Sequence, residues 1–200
     1  MVSRLIGKAD GNLTCESICI LDNTPPTVVW DNNIICVGDV VNPEIDFTTV
    51  ACASTQINWN SSDSEVAISD SNQEIPSVVF TAPGDFDLNV SVSGLCNPFS
   101  DTETYQVCDE PVINLTTPTV NLCLSEPYCF GDLVSVVWNN CPGNTVWTIP
   151  GVPGSPFTDP TNSDLCVSWD SPQTVIISIT STNQCGSTTQ DITVNIESSP

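Results

Sequence analysis

The chain has 200 residues, of which 24 are acidic and only 2 are basic, and its formal net charge is −22 without any histidine. This charge excludes nucleic acid as a partner, because contacts to phosphate depend on Lys and Arg. No apolar run approaches the roughly 18 residues of a membrane span, so the sequence predicts no membrane insertion. Both basic residues, Arg4 and Lys8, precede residue 9, and ion pairs therefore cannot stabilise the rest of the chain.

Eleven cysteines in a chain without histidine indicate disulfides rather than zinc ligation or Cys–His catalysis. Disulfides form in oxidising compartments, so the sequence predicts a secreted protein at the cell surface. No Gly-rich phosphate loop or nucleophile elbow is present. The protein is accordingly predicted not to be an enzyme and to need no cofactor, with Ca²⁺ as the one ion left open.

The first predicted region, residues 1–25, is a strand followed by a linker. Residues 9–25 align with residues 102–118, which hold the last predicted strand of the next region and the linker after it. Two interpretations follow: the tail of a preceding module in a longer array, or a donor strand that completes the sheet of a neighbouring subunit. Neighbouring copies or modules of the same polymer are the expected partners.

The second region, residues 26–110, is predicted to be an antiparallel β-sandwich. Apolar and polar residues alternate in "DFDLNVSVSG", which places Phe86, Leu88 and Val90 on the buried face of a strand. Further strands are predicted at "EIDFTTV", "QINWN" and "PSVVFT". Helical spacing is absent, and a sandwich of two sheets accommodates such short strands.

The third region, residues 111–200, repeats this pattern. Its strand "QTVIISITST" places Val175, Ile177 and Ile179 on the buried face, and further strands are predicted at "DLVSVVW", "NTVWTI", "LCVSW" and "DITVNI". The phrase "CFGD" at 129–132 repeats "CVGD" at 36–39 with an offset of 93, and later positions match at 88 or 89. The sequence therefore predicts an all-β protein with two tandem sandwich domains.

The cysteine spacing predicts one disulfide in each domain. Cys52 and Cys96 are 44 residues apart, and so are Cys141 and Cys185. We interpret the equal spacing as a geometric constraint, which a bond between the two members of each pair supplies. Such a bond stabilises a small domain by roughly 4 kcal/mol on the chain-entropy model.

The remaining cysteines suggest further bridges. A repeated spacing of 21 residues and the insertion of two cysteines into the second domain suggest three pairs: Cys15 with Cys36, Cys108 with Cys129, and Cys123 with Cys166. Cys19 is then left over, either as a free thiol or bonded to material outside the chain. The first two pairs would form links across the start of each domain.

Trp59 and Trp147 occupy matching places after the first cysteine of each predicted pair, and both are predicted to lie in the domain cores. The alternative is that exposed tryptophan rings stack on sugars, which would make surface glycans a partner.

Two blocks carry a resemblance to a known family: "FTAPGDFDLNVSVSGLC" in the first domain and "VSWDSPQTVIISITSTNQCG" in the second. Together with "CVGD" and "CFGD", they resemble the cysteine-containing PKD-like and Ig-like repeats of large secreted surface proteins of Bacteroidota, including gliding adhesins. The resemblance covers about residues 30–108 and 123–197. It implies two Ig-like or PKD-like sandwiches that act as spacers. The chain departs from the PKD pattern at "NWNSSDS" and "VWTIPGV", where that family has a Trp-Asp-Phe-Gly-Asp-Gly loop.

Acidic and amide residues suggest possible ligand and modification sites. Asp39 and Asp132 follow the repeated glycine and are the calcium candidates, although turns capped by these side chains are favoured. The acidic loops at 60–65, 69–74 and 158–164 also offer oxygen ligands. Four positions fit the glycosylation sequon: Asn12, Asn60, Asn89 and Asn114.

The sequence as a whole predicts a non-catalytic extracellular structural module of a cell-surface filament or adhesin stalk, in which disulfide-bonded sandwiches space and stiffen the polymer. The alternative is a carbohydrate-binding accessory module. The exposure of the tryptophan rings separates the two interpretations.

Overall fold

A computed structural model describes residues 25–47, 55–94, 98–130, 133–152, 155–158 and 165–198. The chain divides into two compact units, Met1–Val107 and Cys108–Pro200. This boundary lies three residues before the one expected after residue 110. The predicted first region, apart from residue 25, lies outside the described residues. Regular structure in the described part is almost entirely β-strand, which confirms the predicted all-β class.

The described part of unit 1 contains nine strands in three sheets. In chain order they are β1 Thr27–Val29, β2 Ile34–Cys36, β3 Val40–Val41, β4 Glu44–Asp46, β5 Gln56–Asn60, β6 Val66–Ser69, β7 Ser77–Phe80, β8 Gly84–Ser93 and β9 Phe99–Cys108. The larger sheet has the order β2-β9-β8-β5, the second sheet has the order β3-β7-β6, and β1 pairs with β4. The last residue of β9, Cys108, is already the first residue of unit 2.

Nine strands likewise lie in the described residues of unit 2. They are β10 Val112–Leu115, β11 Thr119–Cys123, β12 Tyr128–Cys129, β13 Val134–Val137, β14 Asn144–Thr148, β15 Phe157–Thr158, β16 Cys166–Val167, β17 Gln173–Asn183 and β18 Gly186–Glu197. The larger sheet has the order β11-β18-β17-β14-β15, β12 pairs with β16, and β10 pairs with β13.

Each unit has a hydrophobic core supplied by the alternating strands. The eight side chains expected in the cores are all buried: Trp59, Phe86, Leu88 and Val90 in unit 1, and Trp147, Val175, Ile177 and Ile179 in unit 2. Because neighbouring residues of a strand point to opposite faces, the intervening polar residues of β8 and β17 face away from the core. Full burial of one such aliphatic side chain stabilises the fold by roughly 1.5–3 kcal/mol.

The strand pairing changes how the two halves correspond near the repeated phrase. β2 and β11 each pair with the last strand of their unit, whereas β3 and β12 each pair with the strand before the long hairpin. Cys36, at the end of β2, therefore corresponds to Cys123 at the end of β11. The expected match of Cys36 with Cys129 is wrong, because "CVGD" begins at the end of β2 in unit 1, whereas "CFGD" begins at the end of β12 in unit 2.

The register of the short ladders extends this correspondence. Val41 faces Val78 across β3 and β7, and Tyr128 faces Val167 across β12 and β16. These two pairs point towards their cores. The next cross-strand position is Cys129 opposite Cys166 in unit 2. In unit 1 the same position is occupied by Asn42, directly after β3, and Ser77.

The outward faces of the long hairpins carry hydrogen-bonded polar side chains, which we call the polar ladder. Its cross-strand bonds in unit 1 are Thr104 Oγ1 to Asp87 Oδ1 (2.6 Å) and Thr102 Oγ1 to Asn89 Oδ1 (2.8 Å). Those in unit 2 are Ser178 Oγ to Asp191 Oδ1 (2.6 Å), Thr180 with Thr189 (2.9 Å), Thr174 Oγ1 to Asn195 Oδ1 (3.1 Å) and Asn195 Nδ2 to Asn121 Oδ1 (2.9 Å). Residues 9–200 contain no Lys, Arg or His, so these bonds occupy the place that ion pairs take in ordinary sheets.

Candidate functional site: the disulfide framework of unit 2

The first residue of unit 2, Cys108, is bonded to Cys141. Cys141 lies beyond β13, and the two Cα atoms are 5.3 Å apart. Both cysteines are buried, at 0% and 4% exposure. The bond closes a loop with a sequence separation of 33 residues, which corresponds to roughly 4 kcal/mol of stabilisation on the chain-entropy model.

The turn before Cys141 explains why this cysteine reaches the start of the unit. Asn139 and Asn140 have φ angles of 43° and 71°, in the left-handed region that asparagine tolerates better than most residues. The turn is closed by the Cys141 amide, which donates to the Trp138 carbonyl at 3.0 Å. Two consecutive left-handed residues reverse the chain and direct Cys141 back to Cys108.

The segment through which the chain leads into unit 2, residues 108–111, is also held by hydrogen bonds, and we call it the lead-in segment. Its three consecutive carbonyls after Cys108 each accept a bond from a side chain of unit 2. The donors are Asn183 Nδ2 to Asp109 (2.7 Å), Asn139 Nδ2 to Glu110 (2.8 Å) and Thr188 Oγ1 to Pro111 (2.6 Å). These donors were not predicted from the sequence, although two of them stand close to cysteines in "NNC" and "NQC".

The second bridge of unit 2 joins Cys129 to Cys166. These residues face each other across β12 and β16, and both are exposed. Beneath them, the fully buried Phe130 ring contacts Trp169 edge-on, with ring centroids 6.4 Å apart. The bridge therefore fastens the ladder that covers the aromatic part of the core.

Several expected disulfide pairings are wrong. Cys141 bonds to Cys108 rather than to Cys185, and Cys108 consequently does not bond to Cys129. Cys166 bonds to Cys129, which leaves Cys123 as an exposed free thiol. The equal spacing of 44 residues arose because the repeat places cysteines at matching positions, and matching positions in two copies need not be bonded to each other within a copy.

The other predicted pairs fall partly outside the described residues. Cys36 and Cys185 are both disulfide-bonded. Cys15, Cys19, Cys52 and Cys96 lie outside the described residues, as does the predicted bond between Cys52 and Cys96.

The five tryptophans do not form an exposed row. Trp59, Trp147 and Trp169 are buried, and Trp30 and Trp138 are half-buried. Trp59 donates from Nε1 to the Gln73 carbonyl at 2.9 Å, and Trp30 packs edge-on against it with centroids 5.7 Å apart. A ring that stacks on sugars presents its flat face to solvent. None of the five tryptophan side chains is exposed, so none offers such a face.

The calcium candidate Asp39 caps a turn. Its Oδ2 accepts from the Cys36 amide at 2.9 Å, and its own amide donates to the Cys36 carbonyl at 3.0 Å. Asp132 and most of the loop at 158–164 lie outside the described residues. Nowhere in the described part of the chain do three or more acidic or cysteine side chains converge on a point where a metal ion could sit. Asp39 therefore has a local role in the turn after β2.

Among the sequons, Asn60 and Asn114 are exposed, whereas Asn89 is half-buried and takes part in the polar ladder. Asn12 lies outside the described residues. Asn60 and Asn114 are thus accessible to a glycosylating enzyme, whereas the Asn89 side chain is already hydrogen-bonded.

One titratable group of unit 1 is unusual. The Tyr105 hydroxyl is buried and makes no hydrogen bond of ordinary geometry. The nearby Asp31 backbone acts to lower the pKa of this hydroxyl, but the causes that raise the pKa outweigh it. Burial, followed by the charges of Asp31 and Glu103, raises the pKa of Tyr105 to about 12. The corresponding residue of unit 2 is Val194, which pairs with Val175 as Tyr105 pairs with Phe86.

Comparison with known proteins identifies the architecture. A three-domain I-band fragment of titin, I67–I69, superposes with a TM-score of 0.53 at 10% identity, covering 88% of this chain and 67% of that one. The insect immune protein hemolin matches with a TM-score of 0.53 at 14% identity over 88% of this chain. Both units have the immunoglobulin-like fold.

Immunoglobulin domains 1–4 of sidekick-1 give the same TM-score, 0.53, at 13% identity over 86% of this chain. The chain spans about half of the hemolin and sidekick-1 structures, 49% and 48% respectively. No protein-family model matches the chain, and no curated protein matches its sequence. Among the described residues, none belongs to a helix that is long and apolar enough to cross a membrane.

Proposed function

We propose that this chain is an exported, non-catalytic structural module of a cell-surface filament or adhesin stalk, built from tandem disulfide-bonded immunoglobulin-like units. The observation that carries the proposal is the bridge between Cys108 and Cys141, which fixes the lead-in segment to the body of unit 2. A chain that transmits tension needs a firm attachment where it enters each folded unit. The three side-chain hydrogen bonds to the lead-in segment strengthen this attachment.

Composition supports the same role. Residues 9–200 contain no Lys or Arg, so they offer no cleavage position to trypsin-like proteases, which cut after these residues. A surface protein meets proteases continuously, and disulfides further reduce the local unfolding that proteolysis requires. The net charge of −22 keeps neighbouring molecules dispersed until cations screen it.

The proposed location is outside the cell, where the bridges form, and the proposed partners are neighbouring copies or modules of the same polymer. We also propose that the chain is related to PKD-like repeats and originates from Bacteroidota. For Ca²⁺ we propose the role of a diffuse counter-ion, because the Oδ2 atom of Asp39 already accepts a hydrogen bond within its own turn. The other calcium candidate, Asp132, lies outside the described residues.

The carbohydrate-binding alternative has less support. Its stacking platform would require exposed tryptophans, and three of the five rings are buried while the other two are half-buried.

Immunogold electron microscopy of the producing cells, with an antibody against the purified chain, tests the proposal. We expect label along surface filaments, and loss of those filaments when the gene is deleted. Label confined to the cell interior would overturn the proposal. A parallel glycan-array measurement on the full chain addresses the alternative: saturable binding that a Trp30→Ala or Trp138→Ala variant abolishes would favour the carbohydrate-binding function instead.

A further inference from the structure

The two bridges of unit 2 differ in how far a reagent can reach their sulfur atoms. Cys108 and Cys141 are buried, at 0% and 4% exposure, whereas Cys129 and Cys166 are both exposed. A disulfide is reduced when a thiolate attacks one of its sulfur atoms, so access controls which bridge reacts. A small reductant therefore reaches the Cys129–Cys166 bridge in the folded unit, while the fold shields the Cys108–Cys141 bridge.

The exposed bridge lies across a ladder of only two residue pairs. β12 and β16 pair with each other, and no third strand among the described residues pairs with either of them. Next to the ladder, the Phe130 amide donates to the Leu165 carbonyl at 3.0 Å. The Ser125 amide donates to the Trp169 carbonyl at the same distance, 3.0 Å. Because short two-stranded ladders are marginal in water, the disulfide is a main contributor to keeping this one closed.

The core beside this ladder contains a polar group that opposes the closed state. Trp169 follows β16, and its Nε1 atom is buried with no hydrogen-bond acceptor among the described residues. Its ring contacts Phe130, the residue after β12, at a centroid distance of 6.4 Å. A buried N–H group without an acceptor raises the free energy of the closed ladder, and water satisfies this group once the ladder opens. The unsatisfied indole therefore favours opening as soon as the bridge is cut.

We propose that the Cys129–Cys166 bridge is a redox-sensitive clasp. Reduction by a small dithiol opens the ladder between β12 and β16 and gives water access to Phe130 and Trp169. The buried Cys108–Cys141 bridge stays oxidised under the same conditions and keeps the rest of unit 2 folded. This inference does not depend on the stalk function, because the clasp acts within a single chain.

The reaction balances with a dithiol as the reductant. One thiolate of the dithiol attacks a sulfur atom of the bridge, forms a mixed disulfide and releases the other cysteine as a thiolate. The second thiol of the reductant then displaces the attached cysteine and closes a cyclic disulfide. The dithiol loses two electrons and two protons, and Cys129 and Cys166 each receive one electron and one proton as they become thiols.

Graded reduction of the full oxidised chain tests the order in which the bridges react. The exposed thiol of Cys123 is first blocked by alkylation, so that it cannot attack either bridge. Dithiothreitol is then added at rising concentration, and the new thiols are trapped with an isotopically labelled alkylating reagent. Cleavage before aspartate releases residues 164–169 and 132–158, whose only cysteines are Cys166 and Cys141 respectively. We expect Cys166 to be labelled at least about tenfold faster than Cys141.

Hydrogen exchange of the same samples measures whether the ladder opens. At the dithiol concentration that reduces only the exposed bridge, we expect the amides of β16 to exchange at least about tenfold faster than in the oxidised chain. The amides of β17 and β18 should keep their protection, because the buried bridge is still intact. Equal labelling of Cys166 and Cys141 would overturn the inference. A reduced bridge with unchanged exchange at β16 would also overturn it, as would a loss of protection throughout unit 2.

Two variants separate the clasp from the effect of reduction as such. Cys129→Ser with Cys166→Ser should exchange rapidly at β16 with or without the dithiol. Asn42→Cys with Ser77→Cys places an equivalent bridge next to β3 and β7 of unit 1, where β6 supplies a third strand. We expect reduction of this added bridge to leave the exchange of β7 unchanged. A matching acceleration at β7 would overturn the clasp as a property of the ladder between β12 and β16.

Discussion

The second sheets of the two units differ in how they are held together. In unit 1, β7 lies between β3 and β6, so each neighbour adds to one three-stranded sheet. In unit 2 the counterpart of β6 is β15, which pairs with β14 in the larger sheet instead. Among the described residues of unit 2, β12 and β16 pair with each other over two residue pairs and with no third strand, and Cys129 and Cys166 form a disulfide across this ladder.

Within the described residues, a covalent bond in unit 2 therefore compensates for the third strand that the second sheet of unit 1 has. An isolated two-stranded ladder is marginal in water, even when its residues suit the β conformation. The three-stranded sheet of unit 1 has Asn42 and Ser77 at the corresponding positions and needs no bridge there. The two units thus reach similar folds by different means: a longer hydrogen-bonded sheet in one, and a cross-strand disulfide in the other.

Removal of the buried Cys108–Cys141 bridge is expected to have a large effect. Replacing both residues by serine should lower the free energy of unfolding of unit 2 by roughly 4 kcal/mol and leave unit 1 unchanged, because the loop it closes lies wholly within unit 2. Denaturant unfolding followed by the tryptophan fluorescence of each unit measures this effect. Equal destabilisation of both units would contradict the assignment of the bridge to unit 2 alone.

Exchange of the second bridge between the units tests the compensation directly. Cys129→Ser with Cys166→Ser should destabilise unit 2 by a similar amount, roughly 4 kcal/mol, because its sequence separation of 37 residues is close to that of the first bridge. The reverse change in unit 1, Asn42→Cys with Ser77→Cys, should form a new disulfide and add less, because its three-stranded sheet is already secure. Thermal unfolding with and without reductant gives both values. If the new bridge stabilised unit 1 as much as the native one stabilises unit 2, compensation would not explain the difference.

A smaller difference between the units should appear at alkaline pH. Because the folded-state pKa of Tyr105 is raised to about 12, the unfolded chain releases this proton first, near its usual pKa of about 10. The stability of unit 1 should therefore decrease as the pH rises from about 10 to about 12. Tyr105→Phe should abolish this decrease and change the stability at neutral pH by no more than about 1 kcal/mol. Rapid stopped-flow unfolding at stepped pH measures it, and an identical decrease in Tyr105→Phe would exclude Tyr105 as its cause.

The polar ladder should give the smallest effects. Ser178→Ala removes a bond to a carboxylate in unit 2 and should cost about 1 kcal/mol, whereas Thr102→Val removes an amide-linked bond in unit 1 and should cost about 0.5 kcal/mol. Urea titrations at low and high NaCl give both values. We expect the Thr102→Val value to be independent of salt, since neither partner is charged; strong salt dependence would mean that the variant disturbs a wider charge distribution.

The long strands were predictable from the sequence because their alternation extends over many residues. β8 and β17 begin and end within one residue of their predicted segments, and β5 coincides with "QINWN". The short edge strands β1, β2, β3 and β12 were not predicted, since two or three residues cannot display a period. Their existence depends on partners that are distant in sequence.

The disulfide framework was predictable in kind but not in connectivity. Eleven cysteines without histidine indicated bridges, yet the bond from Cys108 to Cys141 depends on two consecutive left-handed asparagines, which spacing does not reveal. The correspondence of Cys36 with Cys123 was hidden for a related reason. The repeated four-letter phrase is visible in the sequence, whereas the pairing of β2 and β11 with the last strand of each unit is not. Only the strand pairing determines which residues occupy equivalent positions.

The two bridges of unit 2 overlap along the chain, because Cys129 lies inside the loop closed by Cys108 and Cys141, and Cys141 lies inside the loop closed by Cys129 and Cys166. A molecule stretched until unit 2 unravels would cross the first bridge, return along the 12 residues from Cys141 to Cys129, and cross the second. The taut path from Cys108 to Cys166 is then roughly 50 Å, in place of roughly 200 Å for the reduced chain at about 3.6 Å per residue. Oxidised unit 2 thus limits how far an overstretched chain can lengthen before its covalent bonds bear the tension.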